Sequence, residues 1–103
     1  MPRQALEVLT ETMFYVLMAL NHSEKCGIDI AGWIERKTQN RCRIGPATLY
    51  TILAKFEKEA YIQEIQVEGR KRTYAITDTG RQAYQHEVHR LQQCLNDAAS
   101  EGG

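Results

Sequence analysis

GPATLYTILAKFEKEAYIQEIQVEGRKRTYAIT, residues 45 to 77, decides the fold, because its apolar period changes partway along. Leu49, Ile52, Leu53 and Phe56 recur at helical spacing, which predicts a helix over 46–60. Ile65 and Val67 then alternate with polar residues, as do Tyr74 and Ile76. Between those two runs stands Glu68-Gly69-Arg70-Lys71, so the pattern predicts a two-stranded hairpin with a basic tip. Pro46 suits the first helical position, where its missing N–H would have had no helical partner. That makes Gly45 the N-cap. It has no side chain to bond the amides of Ala47 and Thr48, and a phosphate can take that place at the positive end of the helix. On the face opposite the apolar stripe lie Ala47, Thr51 and Lys58, flanked by Thr48, Tyr50 and Lys55, with no acid among them.

Upstream, a second helix is expected over 27–38, with Ile30, Ala31 and Ile34 inward and Trp33 near that face. A first helix is expected over 11–21 with Thr10 as its N-cap. Leu6, Leu9, Met13, Val16, Leu17 and Leu20 share its spacing, and Phe14 and Tyr15 widen the stripe. So wide an apolar face is buried on more than one side: one side suits the domain core, and the other could take a partner chain. The intervening NHSEKCG reads as a short connection. Downstream, a last helix starts near Thr77 or Asp78 and runs to about Ala98. Tyr84, Val88, Leu91, Leu95 and Ala98 form a seam on it, suited to docking on a neighbouring helix.

The fold class is therefore mainly α with a small β-hairpin: a winged helix-turn-helix plus a C-terminal dimerisation helix. The expected division is a winged-helix domain over 1–76, the dimerisation helix over 77–98 and a flexible tail over 99–103. In such an arrangement the helix over 46–60 enters a major groove, and the hairpin tip reaches phosphates or a minor groove.

The totals narrow the function. The chain has 103 residues, enough for one domain with a modest core. No apolar run reaches the roughly 20 residues that span a bilayer, and the N-terminus lacks a signal-peptide pattern, so a cytoplasmic protein without membrane contact is expected. Cys26, Cys42 and Cys94 form no CxxC pair, so neither a disulfide framework nor a zinc knuckle is indicated. Net charge is zero, yet residues 36 to 72 hold nine basic side chains against four acidic ones. A neutral protein with one basic region can bind a polyanion there.

Other classes find less support. No nucleophile stands with a matched base and no phosphate-binding glycine loop occurs, so an enzyme is not expected. His86 and His89, one turn apart with Cys94 following, are the only metal-sensor candidate, and the Gln, Glu and Arg between them read as a solvated helix face. No metal or cofactor is assigned. A winged helix used for protein contact is the alternative to DNA binding, and the basic tip counts against it.

Four blocks in order, LTETMFYVLMAL, GIDIAGWIE, GPATLYTILAKFEKEAYI and GRKRTYAITDTG, resemble the PadR family of bacterial transcriptional repressors over about residues 9 to 81. The resemblance implies a homodimer built through the first and last helices, an inverted-repeat duplex operator, and repression relieved by a small-molecule effector or cellular signal. It is the subgroup with a single C-terminal helix that the chain resembles. The expected DNA-facing set is Arg43, Gly45, Pro46, Ala47, Thr48, Tyr50, Thr51, Lys55 and Lys58, with Gly69, Arg70, Lys71 and Arg72 in the wing. The expected dimer set is Leu6, Leu9, Met13, Tyr84, Val88, Leu91 and Leu95; Tyr15, Trp33 and Tyr84 could line an effector pocket between the subunits. Two departures stand out: family members usually have glycine where Ala60 stands, and the wing is short, which favours phosphate contact over deep minor-groove contact.

Overall fold

The computed structural model describes residues 8–102. Helix α1 spans Glu11–His22, and Thr10 caps it, its Oγ1 accepting from the Met13 amide at 3.1 Å. Met13, Val16, Leu17, Ala19 and Leu20 point into the core. At the other end Lys25 supplies the cation that a helix C-terminus favours: its Nζ donates to the Ala19 carbonyl at 2.7 Å and to Ser23 Oγ at 2.9 Å. Desolvation holds the Lys25 ammonium below its usual pKa.

The connection after α1 is not plain loop. Lys25–Cys26 forms β1, which pairs antiparallel with a later strand through Lys25↔Tyr74 and Cys26↔Thr73. The expected two-stranded hairpin is thus part of a three-stranded antiparallel sheet in the order β1-β3-β2, where β2 is Ile62–Glu68 and β3 is Lys71–Ile76. Two residues are too few to show alternation in sequence, so β1 left no period to read.

Helix α2, Gly27–Lys37, buries Ile30 and Ile34. Thr38 closes it: its hydroxyl donates to the Ile34 carbonyl at 2.8 Å and accepts from the Cys42 amide at 3.0 Å. Gln39 and Asn40 take left-handed conformations (φ 52° and 64°), which turns the chain so that buried Cys42 and Ile44 plug the space before the next helix.

Helix α3, Pro46–Lys58, buries the expected stripe of Leu49, Ile52, Leu53 and Phe56. It stops two residues before the expected Ala60, and the reason is a C-terminal turn. Ala60 N donates to Glu57 O at 3.0 Å and Tyr61 N to Phe56 O at 2.9 Å, which puts Ala60 at φ 62°. This is the position glycine usually fills.

In the hairpin, Ile62, Tyr74 and Ile76 are buried, whereas Ile65 and Val67 are exposed because β2 projects beyond the core. A bulge at Ile65 shifts the register between Glu64 and Gln66. Helix α4, Asp78–Ser100, starts at a Thr77 cap whose Oγ1 accepts from the Gly80 amide at 3.0 Å and donates toward the carbonyls of Ala60 and Tyr61. Gly80 permits this approach, since a Cβ there would collide with the Tyr61 carbonyl oxygen. The helix continues through Ala99 and Ser100, two residues beyond Ala98 and into the stretch expected as tail.

Leu9 and Met13, expected at a dimer interface, are packed into this chain's own core. The α1 spacing marks an apolar face, and α4 of the same chain already covers part of it. Leu6 lies outside the described residues. No described helix is long and apolar enough to cross a membrane.

Candidate nucleic-acid interface

The exposed side of α3 is built from its first turn. Gly45 sits extended at φ −80° and ψ 162° and makes no side-chain cap, with Pro46 directly after it. The amides that follow carry no capping side chain, and the first turn contains no acid. Ala47, Thr48 and Thr51 are exposed, as is Lys58; Lys55 is half-buried. The Thr51 hydroxyl donates to the Ala47 carbonyl at 2.9 Å, so its remaining capacity toward a ligand is as an acceptor. Arg43 stands before the helix, 3.8 Å from Glu35 in an exposed ion pair that a stronger anion can displace.

Tyr50 leans toward α2. A Cβ at Gly27 would lie 3.0 Å from the Tyr50 hydroxyl, so the missing side chain makes room for the ring. The wing arrives at the same place. Gly69 takes φ 62° at the hairpin turn, which presents Arg70 and Lys71 to solvent. Arg72 points back and pairs with Glu64 at 3.5 Å. A cleft of about 380 Å³ results, with Tyr50 on one wall and Arg70, Lys71 and Arg72 on another. Cys26 of β1 and Gly27, Ile28 and Asp29 of α2 complete it. The structure therefore brings Tyr50 of the expected α3 set together with the wing cations. It adds Ile28, which sequence reasoning missed. The available signal was an isoleucine out of phase with the Ile30 and Ile34 stripe.

The other expected groupings fare differently. Within the single chain Tyr15, Trp33 and Tyr84 have different neighbours. Tyr15 accepts from Arg41 at 2.9 Å, and Phe14 stacks on Tyr84 with ring centroids 5.4 Å apart. Trp33 instead meets His22 at 5.5 Å and the Lys25 and Lys37 ammonium groups at 5.3 and 5.7 Å. A separate cleft of about 370 Å³ lies between the start of α1 and α4, and Tyr15 lines it without Trp33 or Tyr84. Among the described residues, no group of three or more His, Cys, Asp or Glu could hold a metal ion, and His86 and His89 are exposed.

Glu87, beside His86 on what read as a solvated face, is buried. It accepts from the Leu9 amide at 3.1 Å and from Arg90 Nη2 and Nε at 2.8 and 3.0 Å. The hydrogen-bonded Arg90 holds its carboxyl below the usual range. On the seam, Tyr84, Val88 and Leu91 are half-buried and Leu95 is exposed.

Three helices, a turn between the second and third, and a hairpin wing carrying cations make a winged helix-turn-helix of the kind found in transcriptional regulators. The chain belongs to the transcriptional regulator PadR-like family, whose model matches residues 16–86. It is similar to a transcriptional regulator from Clostridium thermocellum (TM-score 0.76, 27% identity, 85% of this chain and 89% of that one). Its fold also matches that of Bacillus subtilis PadR in complex with operator DNA (TM-score 0.68, 22% identity, 77% of this chain and 47% of that one). An uncharacterized 37.1 kDa protein in transposon TN4556 of Streptomyces fradiae is 30% identical over 81 residues. That match covers 79% of this chain and 23% of the longer protein.

Proposed function

We propose that this transcriptional regulator binds a duplex operator as a homodimer and represses, with release by a small-molecule or cellular signal. The observation that carries the DNA reading is the shared cleft: α3 contributes Tyr50 and the wing contributes Arg70, Lys71 and Arg72 to one concave surface. A groove-reading helix and a phosphate-binding tip are useful only if one duplex can touch both. The uncapped first turn of α3 adds a place for a phosphate. The Bacillus subtilis relative was solved with operator DNA, which supports the same use of this fold here.

In this reading Arg43, Lys55, Lys58, Arg70 and Lys71 supply charge, while Thr48, Tyr50 and Thr51 sit where bases or phosphates pass. The second half of α4 supports the dimer. Leu91 is half-buried and Leu95 is 65% exposed, so the described residues leave part of the seam open. A second α4 docked there would set the separation of two α3 helices and hence of two half-sites. An effector that changed their spacing or tilt would release the operator.

Selection of bound duplexes from a random pool tests this. The expected product is an inverted repeat with half-sites about one helical turn apart. A pool that gains no common sequence after repeated rounds would refute sequence-specific binding.

A further inference from the structure

The cleft between wing and helices has two unlike walls. On one side stand Gly27, Ile28 and Tyr50; on the other, Arg70, Lys71 and Arg72. Ile28 is 81% exposed, more than any other large apolar side chain among the described residues. It belongs to neither the core stripe of α2 nor the α4 seam, so folding gives it no cover. An apolar hollow of about 110 Å³ continues from Ile28 and Tyr50 toward Pro46, extending the same wall to the first turn of α3. Asp29, the one acid in the cleft lining, lies on the α2 side.

We infer that this cleft seats one sugar–phosphate segment of a DNA strand, with Ile28 packed against a deoxyribose and the flanking phosphates held on the wing side. The inference rests on the DNA-binding reading above and adds a contact outside α3 and the wing. A DNA strand alternates a weakly polar sugar with a charged phosphate, and the walls answer each in turn. Asp29 repels phosphate from the α2 side, which leaves the Arg70–Arg72 side as its place. Gly27 serves the seat indirectly by letting the Tyr50 ring fold back to extend the apolar wall.

Hydroxyl-radical footprinting reads deoxyribose exposure directly. It is applied to the selected operator with the wild-type protein and with Ile28→Ser, beside duplex affinity over a salt series. Ile28→Ser should melt like wild type, because the Ile28 side chain is mostly exposed. It should lose protection at a discrete sugar position in each half-site and keep the rest of the footprint. Its affinity should fall about fivefold with the salt slope unchanged, since an apolar contact is removed and no ion release is lost. Asp29→Asn should bind more tightly than wild type. A footprint and affinity for Ile28→Ser equal to wild type would overturn the seat while leaving the DNA reading intact. Failure of the wild-type protein to protect or bind any duplex at low salt would overturn the DNA reading and the seat together.

Discussion

Replacing Gly45 by aspartate separates two roles that one residue could have. A Cβ at Gly45 meets nothing within 4 Å, and its backbone at φ −80° suits any residue, so the variant fits without strain. As an N-cap, aspartate gains a few tenths of a kcal/mol over glycine by accepting from the first-turn amides. Its charge at the positive helix end adds about 0.3–1 kcal/mol. The stability gain is thus about 0.5–1 kcal/mol, or a melting temperature roughly 3–5 °C higher. The effect on DNA has the opposite sign. The carboxylate takes the amides a phosphate would use, which removes about 1 kcal/mol. It also places a like charge roughly 6 Å from that phosphate, adding about 0.7 kcal/mol of repulsion at a water-like dielectric. Each half-site should then bind about 20-fold more weakly, with the salt slope lower by about one unit. Thermal melting and fluorescence anisotropy on a labelled duplex read both effects. A stabilised variant with unchanged affinity and slope would refute the phosphate-capping argument and leave Gly45 as an ordinary turn residue.

Ala60→Gly should stabilise the chain by about 1 kcal/mol, because alanine holds φ 62° against its own Cβ; a lower urea midpoint for the variant would contradict this. Glu87 has its folded pKa below the unfolded value of 4.5, so its stabilising contribution is present above pH 4.5 and fades as pH falls through the folded value. Glu87→Gln should therefore cost about 1–2 kcal/mol at neutral pH and flatten the acid limb of a stability–pH curve. Parallel curves for the two proteins would show that the Arg90 and Leu9 bonds to Glu87 contribute nothing. Leu91→Asp with Leu95→Asp should give a monomer in sedimentation velocity at a concentration where wild type is dimeric, and a persistent dimer would place the interface elsewhere.

What the sequence disclosed follows from how far each signal reaches. The α3 stripe of Leu49, Ile52, Leu53 and Phe56 spans two turns, so its period was legible, and the threonine caps at Thr10 and Thr77 are local chemistry. Strand β1 has two residues and exists only because β3 passes beside it. Helical spacing also gives a face without naming what covers it. Leu9 and Met13 share the α1 face with the expected interface, and their place in this chain's core shows only in the folded structure. Glu87 hides for the converse reason: a carboxylate looks solvated in sequence until an amide 78 residues away is seen to bond it. The α3 and wing cations were visible as charge, but Ile28 joins them only when α2 is laid beside the hairpin.

The central claim is that α3 and the wing form one DNA-binding face. A salt titration of duplex affinity, wild type against the double variant Arg70→Ala and Lys71→Ala, tests it most directly. Wild-type binding should weaken steeply and linearly on a log–log plot, and the variant should bind every duplex more weakly, with the slope reduced by up to about two units per wing. Equal slopes for the two proteins, or wild-type binding indifferent to salt, would contradict it.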